Sequence, residues 1–143
     1  MSGLRTVPTA ELPEVWPRVL PWIAEACRRG DRDQTPADLL LLCRREEAAL
    51  VLIYGEGAEP AAAGVAQVRD HADGDRVCAI LAVGGSGARG WRETLRTIEE
   101  NAARIGCSRI AFAGRPGWAA LLPDYDRQVM FTKRLEPALA AVA

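Results

Sequence analysis

Seven consecutive residues carry the clearest chemical signal in this chain: Gly84, Gly85, Ser86, Gly87, Ala88, Arg89 and Gly90, set between an apolar run and a helical pattern. Glycines at such a place let successive backbone N–H groups point into one cavity, and the start of the following helix adds its partial positive charge. Arg89 adds a charged donor. The turn therefore suits a phosphate-type anion; the other reading is a flexible connection without a ligand. His71 is the single histidine. It stands beside Asp70 and near Asp73, and histidine is the side chain most suited to moving a proton at neutral pH. It is the candidate general base, or else a solvated residue in a polar turn. The cysteines, Cys27, Cys43, Cys78 and Cys107, form no CxxC pair, and their spacing offers no close-set ligands for zinc. Each falls in or beside an apolar stretch, which points to reduced thiols acting as small core residues. Cys78 becomes a nucleophile only with a base beside it. No GxSxG, HExxH or Walker A pattern is present.

The elements that must position these residues belong to one domain, residues 1–143, with 136–143 as a tail that can fray. Apolar residues make up 49% of the chain and charged residues 26%, enough for a core and too apolar for disorder. The net charge of −1 supplies no field toward nucleic acid or an acidic membrane, and the arginines are dispersed among acids. Lys133 is the only lysine. The first residues lack the apolar stretch of a signal peptide. The apolar run at 37–43 is too short to span a bilayer and contains Asp38. These features lead to the expectation of a cytoplasmic protein with no nucleic acid or membrane partner.

Residues 4–7 read as a short edge strand ended by Pro8. Val15, Val19, Ile23 and Cys27 recur every four residues and predict a helix. Pro17 and Pro21 lie inside it, so a kink or a later start is expected. Gly30 ends it. Thr35, Pro36 and Asp38 open a second helix that runs to about Arg45. Three strands follow at 49–54, 62–71 and 77–83, with Asp73-Gly74 as the hairpin signal between the last two. After the glycine turn, Trp91, Leu95, Ile98, Ala102 and Ile105 mark a helix capped by Gly106. Residues 107–113 read as a buried strand, 118–122 as a short helix stopped by Pro123, and 129–135 as a last strand.

This order resembles the GNAT acyltransferase superfamily over roughly residues 4–135, with motifs only in the second half. One motif is the VGGSGARGW segment, Val83 to Trp91; the other is GRPGWAALLPDY, Gly114 to Tyr125. The second resembles the family's C-terminal segment, where a short helix leads into a late strand through a glycine–aromatic pair; the whole stretch from Gly84 to Leu135 also resembles GNAT-like proteins of tailed phages and prophage-derived clusters, through the GRPGW element and the missing final strand. The resemblance implies an α/β fold: a mixed sheet, antiparallel through 49–83, with helices on its faces. Residues 78–83 and 108–113 would be neighbouring parallel strands that splay apart at the glycine turn. It implies acetyl-CoA or coenzyme A as cofactor, its pyrophosphate held by residues 84–90. The family pattern there is Q/R-x-x-G-x-G/A. With Gly85 and Gly87 at its glycine positions, Ala82 stands where Gln or Arg is usual.

The resemblance also implies a reaction, transfer of an acetyl group to an amine on a small molecule or a protein. Family members often use a tyrosine near the short C-terminal helix as general acid toward the leaving thiolate. Tyr125 is the matching candidate, and it is equally placed to be a packed aromatic. Trp16 and Trp22 lie on the first helix, which borders the acceptor groove in this fold; they would line that groove or belong to the core. The alternative function is a non-catalytic GNAT-fold accessory or structural protein that binds a protein partner in a phage-like assembly.

Overall fold

The structure, a computed structural model, describes residues 3–30, 33–85, 90–114 and 118–138. Five strands form one sheet in the order β1-β2-β3-β4-β5. They are β1 (Gly3–Thr6), β2 (Ala49–Tyr54), β3 (Pro60–Asp70), β4 (Arg76–Gly85) and β5 (Arg109–Phe112). The first four are antiparallel to their neighbours; β5 runs parallel to β4. This is the mixed α/β sheet expected from the resemblance.

The helices are α1 (Leu12–Arg29), α2 (Pro36–Arg44), α3 (Trp91–Arg104) and α4 (Trp118–Leu121). α1 begins earlier than the apolar pattern suggested and continues through both internal prolines, Pro17 and Pro21. Both are exposed, while Trp16, Val19 and Ile23 are buried. The missing N–H groups therefore lie on the solvent side, where water can take the freed carbonyls. α2 opens on a capping box: Asp38 N–H donates to Thr35 Oγ1 at 3.2 Å, and Thr35 N–H donates to Asp38 Oδ2 at 3.0 Å.

Two apolar clusters lie on the two sheet faces. The larger joins α1 and α2 to the sheet through Trp16, Val19, Ile23, Leu39, Leu50, Leu52, Ala63 and Val65. The other joins α3 to the sheet through Ile53, Ala62, Cys78, Ile80, Leu95, Ile98 and Ala102. Side chains alternate faces along a strand, and β2 obeys this: Leu50 and Leu52 belong to one cluster, Ile53 to the other.

Four expectations are corrected. Gly84 and Gly85 belong to β4, paired with Ala63 and Ala62, so the strand runs two residues into the expected turn. β5 is shorter than 107–113 and half exposed, because it lies at the sheet edge. Residues 129–135 form no strand; they carry β-type side chains but lie exposed, without a ladder to β5. Ile105, which fitted the helical pattern, lies beyond the end of α3 and is exposed.

Candidate functional site

The candidate site is built by an irregularity in β4. Val65 pairs with Ala82 but Ala66 pairs with Ile80, so Leu81 is an extra residue, a β-bulge. The bulge reverses the alternation. Cys78 and Ile80 pack toward α3 before it; Leu81 and Ala82 both pack with the α1 cluster; Val83 returns to the α3 side. Pairing with β5 stops at Ile80–Phe112, just before the bulge. β4 continues to Gly85, held on its other side by β3. Among the described residues, the β5-facing edge of 81–85 therefore has no strand partner. The two parallel strands part there, and α3 begins at Trp91, with Gly90 as its N-cap.

The glycines at the end of β4 have a packing reason of their own. A Cβ on Gly84 would lie 2.5 Å from the Trp22 carbonyl oxygen, and one on Gly85 would lie 2.5 Å from the Ala61 carbonyl oxygen. Both contacts are with backbone, which cannot swing aside. Gly84 thus lets α1 close onto the strand, and Trp22 is half-buried at that contact. Trp16 is core. Ala82, at the position where the family has a polar residue, is buried against α1, where a charged side chain would lose its water. Ser86, Gly87, Ala88 and Arg89 lie outside the described residues.

Aromatic side chains gather where the strands part. Trp91 meets Trp118 edge-on at 6.2 Å between ring centroids; Trp118 meets Phe112 at 5.7 Å, and Phe112 meets Tyr125 at 5.8 Å. Gly114 is part of this packing, since a Cβ there would lie 3.0 Å from Phe112 Cε2. The Arg92 guanidinium donates to the Leu121 carbonyl at 3.4 Å, joining the start of α3 to the end of α4.

Tyr125 is half-buried in this cluster, and its hydroxyl donates to Glu99 Oε2 at 2.6 Å. Burial, then the hydrogen bond and the negative charge of Glu99, push the phenol above its ordinary value. A phenol held this way is a weaker acid, and its proton is already engaged by a carboxylate. Nothing in the family resemblance singled out Glu99. The available signal was its place four residues after Leu95, on the flank of the buried face of α3.

His71 lies elsewhere. It is exposed at the β3–β4 turn, where its N–H donates to the Asp75 carbonyl at 2.8 Å and its carbonyl accepts from Gly74 N–H at 3.0 Å. That turn precedes β4, whereas the strands part after Ile80, midway along it. Roughly five residues of strand separate the two, about 16 Å at about 3.3 Å per residue. The structure therefore brings Tyr125 to the place where β4 and β5 diverge, and leaves His71 apart from it, at the turn before β4.

Comparison with solved structures finds the same fold in acetyltransferases. An aminoglycoside acetyltransferase from an uncultured soil metagenomic sample matches with a TM-score of 0.62 at 10% identity, covering 94% of this chain and 97% of that one. A GNAT family acetyltransferase of Staphylococcus aureus matches with a TM-score of 0.63 at 15% identity, covering 94% and 98%. A ribosomal-protein-alanine N-acetyltransferase of Brucella melitensis matches with a TM-score of 0.62 at 11% identity, covering 96% and 99%. The fold is GNAT-like. No family model matches the chain, and no curated protein matches it by sequence. Among the described residues, no helix is long and apolar enough to cross a membrane.

Proposed function

We propose that this protein binds coenzyme A or acetyl-CoA where β4 and β5 part and transfers the acetyl group to an amine. One observation carries this reading: the bulge at Leu81, after which β4 runs on to Gly85 with no strand on its β5 side among the described residues. Such an edge offers alternating N–H and C=O groups to an extended ligand that carries amides, as the pantetheine arm of coenzyme A does. Residues 86–89 and the first turn of α3 would hold the pyrophosphate, with Arg89 as charged donor. The likeness to acetyltransferase structures supports the same reading. The acetyl donor supplies the reactive thioester; the protein would act by orienting it and by backbone hydrogen bonds. The acceptor would be an amine on a small molecule or a protein.

Calorimetry with acetyl-CoA tests this directly. Binding in the micromolar range, roughly −8 kcal/mol, is expected without any acceptor. Arg89→Ala should weaken it by about 1.5–3 kcal/mol. Absence of binding by a folded sample would overturn the reading.

Two observations favour a second reading, a GNAT-fold accessory that acts through a protein partner. The Tyr125 hydroxyl is engaged by Glu99, and His71 stands at the turn before β4, about half of that strand away from the parting. On this reading acetyl-CoA either fails to bind or binds without turnover over a panel of amines. A partner in a phage-derived particle belongs to the same reading.

A further inference from the structure

An amine that attacks a thioester must shed a proton, and one pair of side chains beside the parted strands is arranged to take it. Resting on the acetyl-transfer reading above, we propose that Tyr125 accepts the proton of the attacking nitrogen while passing its own to Glu99. Glu99 is then the end of a two-step proton relay, and it acts through Tyr125.

Both members of the pair are held in place. The Tyr125 ring meets Phe112 edge-on at 5.8 Å, and Phe112 forms the last pair between β5 and β4 before the bulge. The Tyr125 N–H donates to the carbonyl of Leu122, a buried residue, at 3.1 Å. Glu99 follows the buried Leu95 and Ile98 on α3. The phenol donates to Glu99 Oε2 at 2.6 Å. Its oxygen keeps the capacity to accept a hydrogen bond, and among the described residues no group donates to it. The direction of the bond matters. A phenol whose proton points at a carboxylate is turned the wrong way to protonate a leaving thiolate, but the right way to receive a proton on its oxygen. Burial and Glu99 raise the phenol above its ordinary value. A relay is not opposed by that, because the phenol gains one proton as it loses another and never ionises. The neighbouring groups do not compete. The Cys78 thiol is buried and held protonated, and Asp124 is exposed.

The step balances. The nitrogen forms its bond to the thioester carbon, and the carbonyl electron pair moves onto oxygen. The positively charged nitrogen gives its proton to Tyr125 Oη, and the phenolic proton passes to Glu99. The carbonyl re-forms, the carbon–sulfur bond breaks, and its electron pair leaves on sulfur. The thiolate takes a proton from water, and Glu99, only half-buried, returns one to water.

Release of coenzyme A thiol from acetyl-CoA, with the best acceptor of a panel of primary amines, tests this on the full chain. Glu99→Gln keeps an oxygen that accepts from the phenol but takes no proton. It should lower kcat about a hundredfold, with the KM for acetyl-CoA and the melting profile near their original values. Tyr125→Phe should lower kcat as far, and the double variant no further, because the two groups act in series. Glu100→Gln, at the exposed next residue, should change nothing and so excludes an effect of charge alone. If Tyr125 instead protonated the thiolate, Glu99→Gln would free the phenolic proton and keep or raise kcat. That result would overturn the relay, as would a kcat indifferent to both substitutions; in either case the wild type still turns over, and the acetyl-transfer reading stands. A folded wild type that releases no thiol with any amine overturns that reading, and the relay with it.

Discussion

The two flanks of the sheet are built differently. On the α1 side, Ile23, Leu39, Leu50 and Val65 are fully buried, and α1 lies so close to β4 that Gly84 has no room for a side chain. On the β5 side, the last strand is four residues long, half exposed, and followed by apolar residues that stand in solvent. The candidate site lies between them, at the β4 segment that one flank holds and the other leaves open. One flank thus supplies rigidity, and the other supplies an edge that has no strand partner among the described residues and that a ligand can use.

The largest expected effects come from the tight flank. Ile23→Ala and Leu39→Ala should each cost about 2–5 kcal/mol in urea unfolding, because close-packed surroundings relax poorly around the missing atoms. Phe131→Ala, on the loose flank, should leave the stability of the single chain near its original value, since it buries almost nothing there. Similar losses at both places would erase the contrast between the flanks.

The next effect appears at alkaline pH. Burial alone pushes the Cys43 thiol from 9.0 up to about 11. The folded state therefore holds this proton more firmly than the unfolded chain does. Its stabilising contribution is complete below pH 9 and is lost as the pH rises from 9 toward 11. That loss is on the order of 2–3 kcal/mol by linkage. Cys43→Ala, whatever it costs at neutral pH, should flatten the stability profile across that window.

Gly84→Ala should cost about 1–3 kcal/mol. The new methyl would meet the Trp22 carbonyl at 2.5 Å, and only a shift of α1 can relieve that contact. The same shift would move the β4 segment that lines the candidate site, so acetyl-CoA binding should weaken together with stability. If stability falls and binding does not, α1 does not set the site's geometry.

Local rules made the tight flank legible. Thr35, Pro36 and Asp38 spelled out the capping box, and the apolar run at 49–54 gave β2 at its observed bounds. Asp73-Gly74 gave the hairpin, with Gly74 at a φ of +92°. The bulge at Leu81 has no such spelling, because it is a mismatch between two strands and not a property of either. Its one trace is Gly64, where a Cβ would lie 3.1 Å from the Ala82 carbonyl oxygen; a glycine inside a strand marks such close approach. The segment 129–135 shows the opposite failure. Its side chains suit a strand, but strand formation needs an edge to pair with, and composition says nothing about which chain provides it. Tyr125 was placed by motif and His71 by residue type. Only the topology shows that about half the length of β4 lies between them.

The smallest effect concerns Tyr125, where the loose flank is held to α3 by one polar contact. Tyr125→Phe removes the bond to Glu99 and keeps the ring against Phe112. With the carboxylate only part-buried, about 1 kcal/mol of stability should be lost. If the hydroxyl served as the acid of an acetyl transfer, turnover would fall by far more than that stability change explains. Glu99→Gln provides the complementary test. The phenol lies above its ordinary 10.0 through burial first and Glu99 second. Because the folded state holds that proton more firmly, this contribution is present below pH 10 and declines above it. Removing the charge at Glu99 should lower the phenol partway in a phenolate absorbance titration, done in a Tyr54→Phe background. Burial should keep it above 10. A phenol that falls fully to its ordinary value would show that the cluster around Tyr125 opens to water, and that the loose flank is looser than its packing suggests.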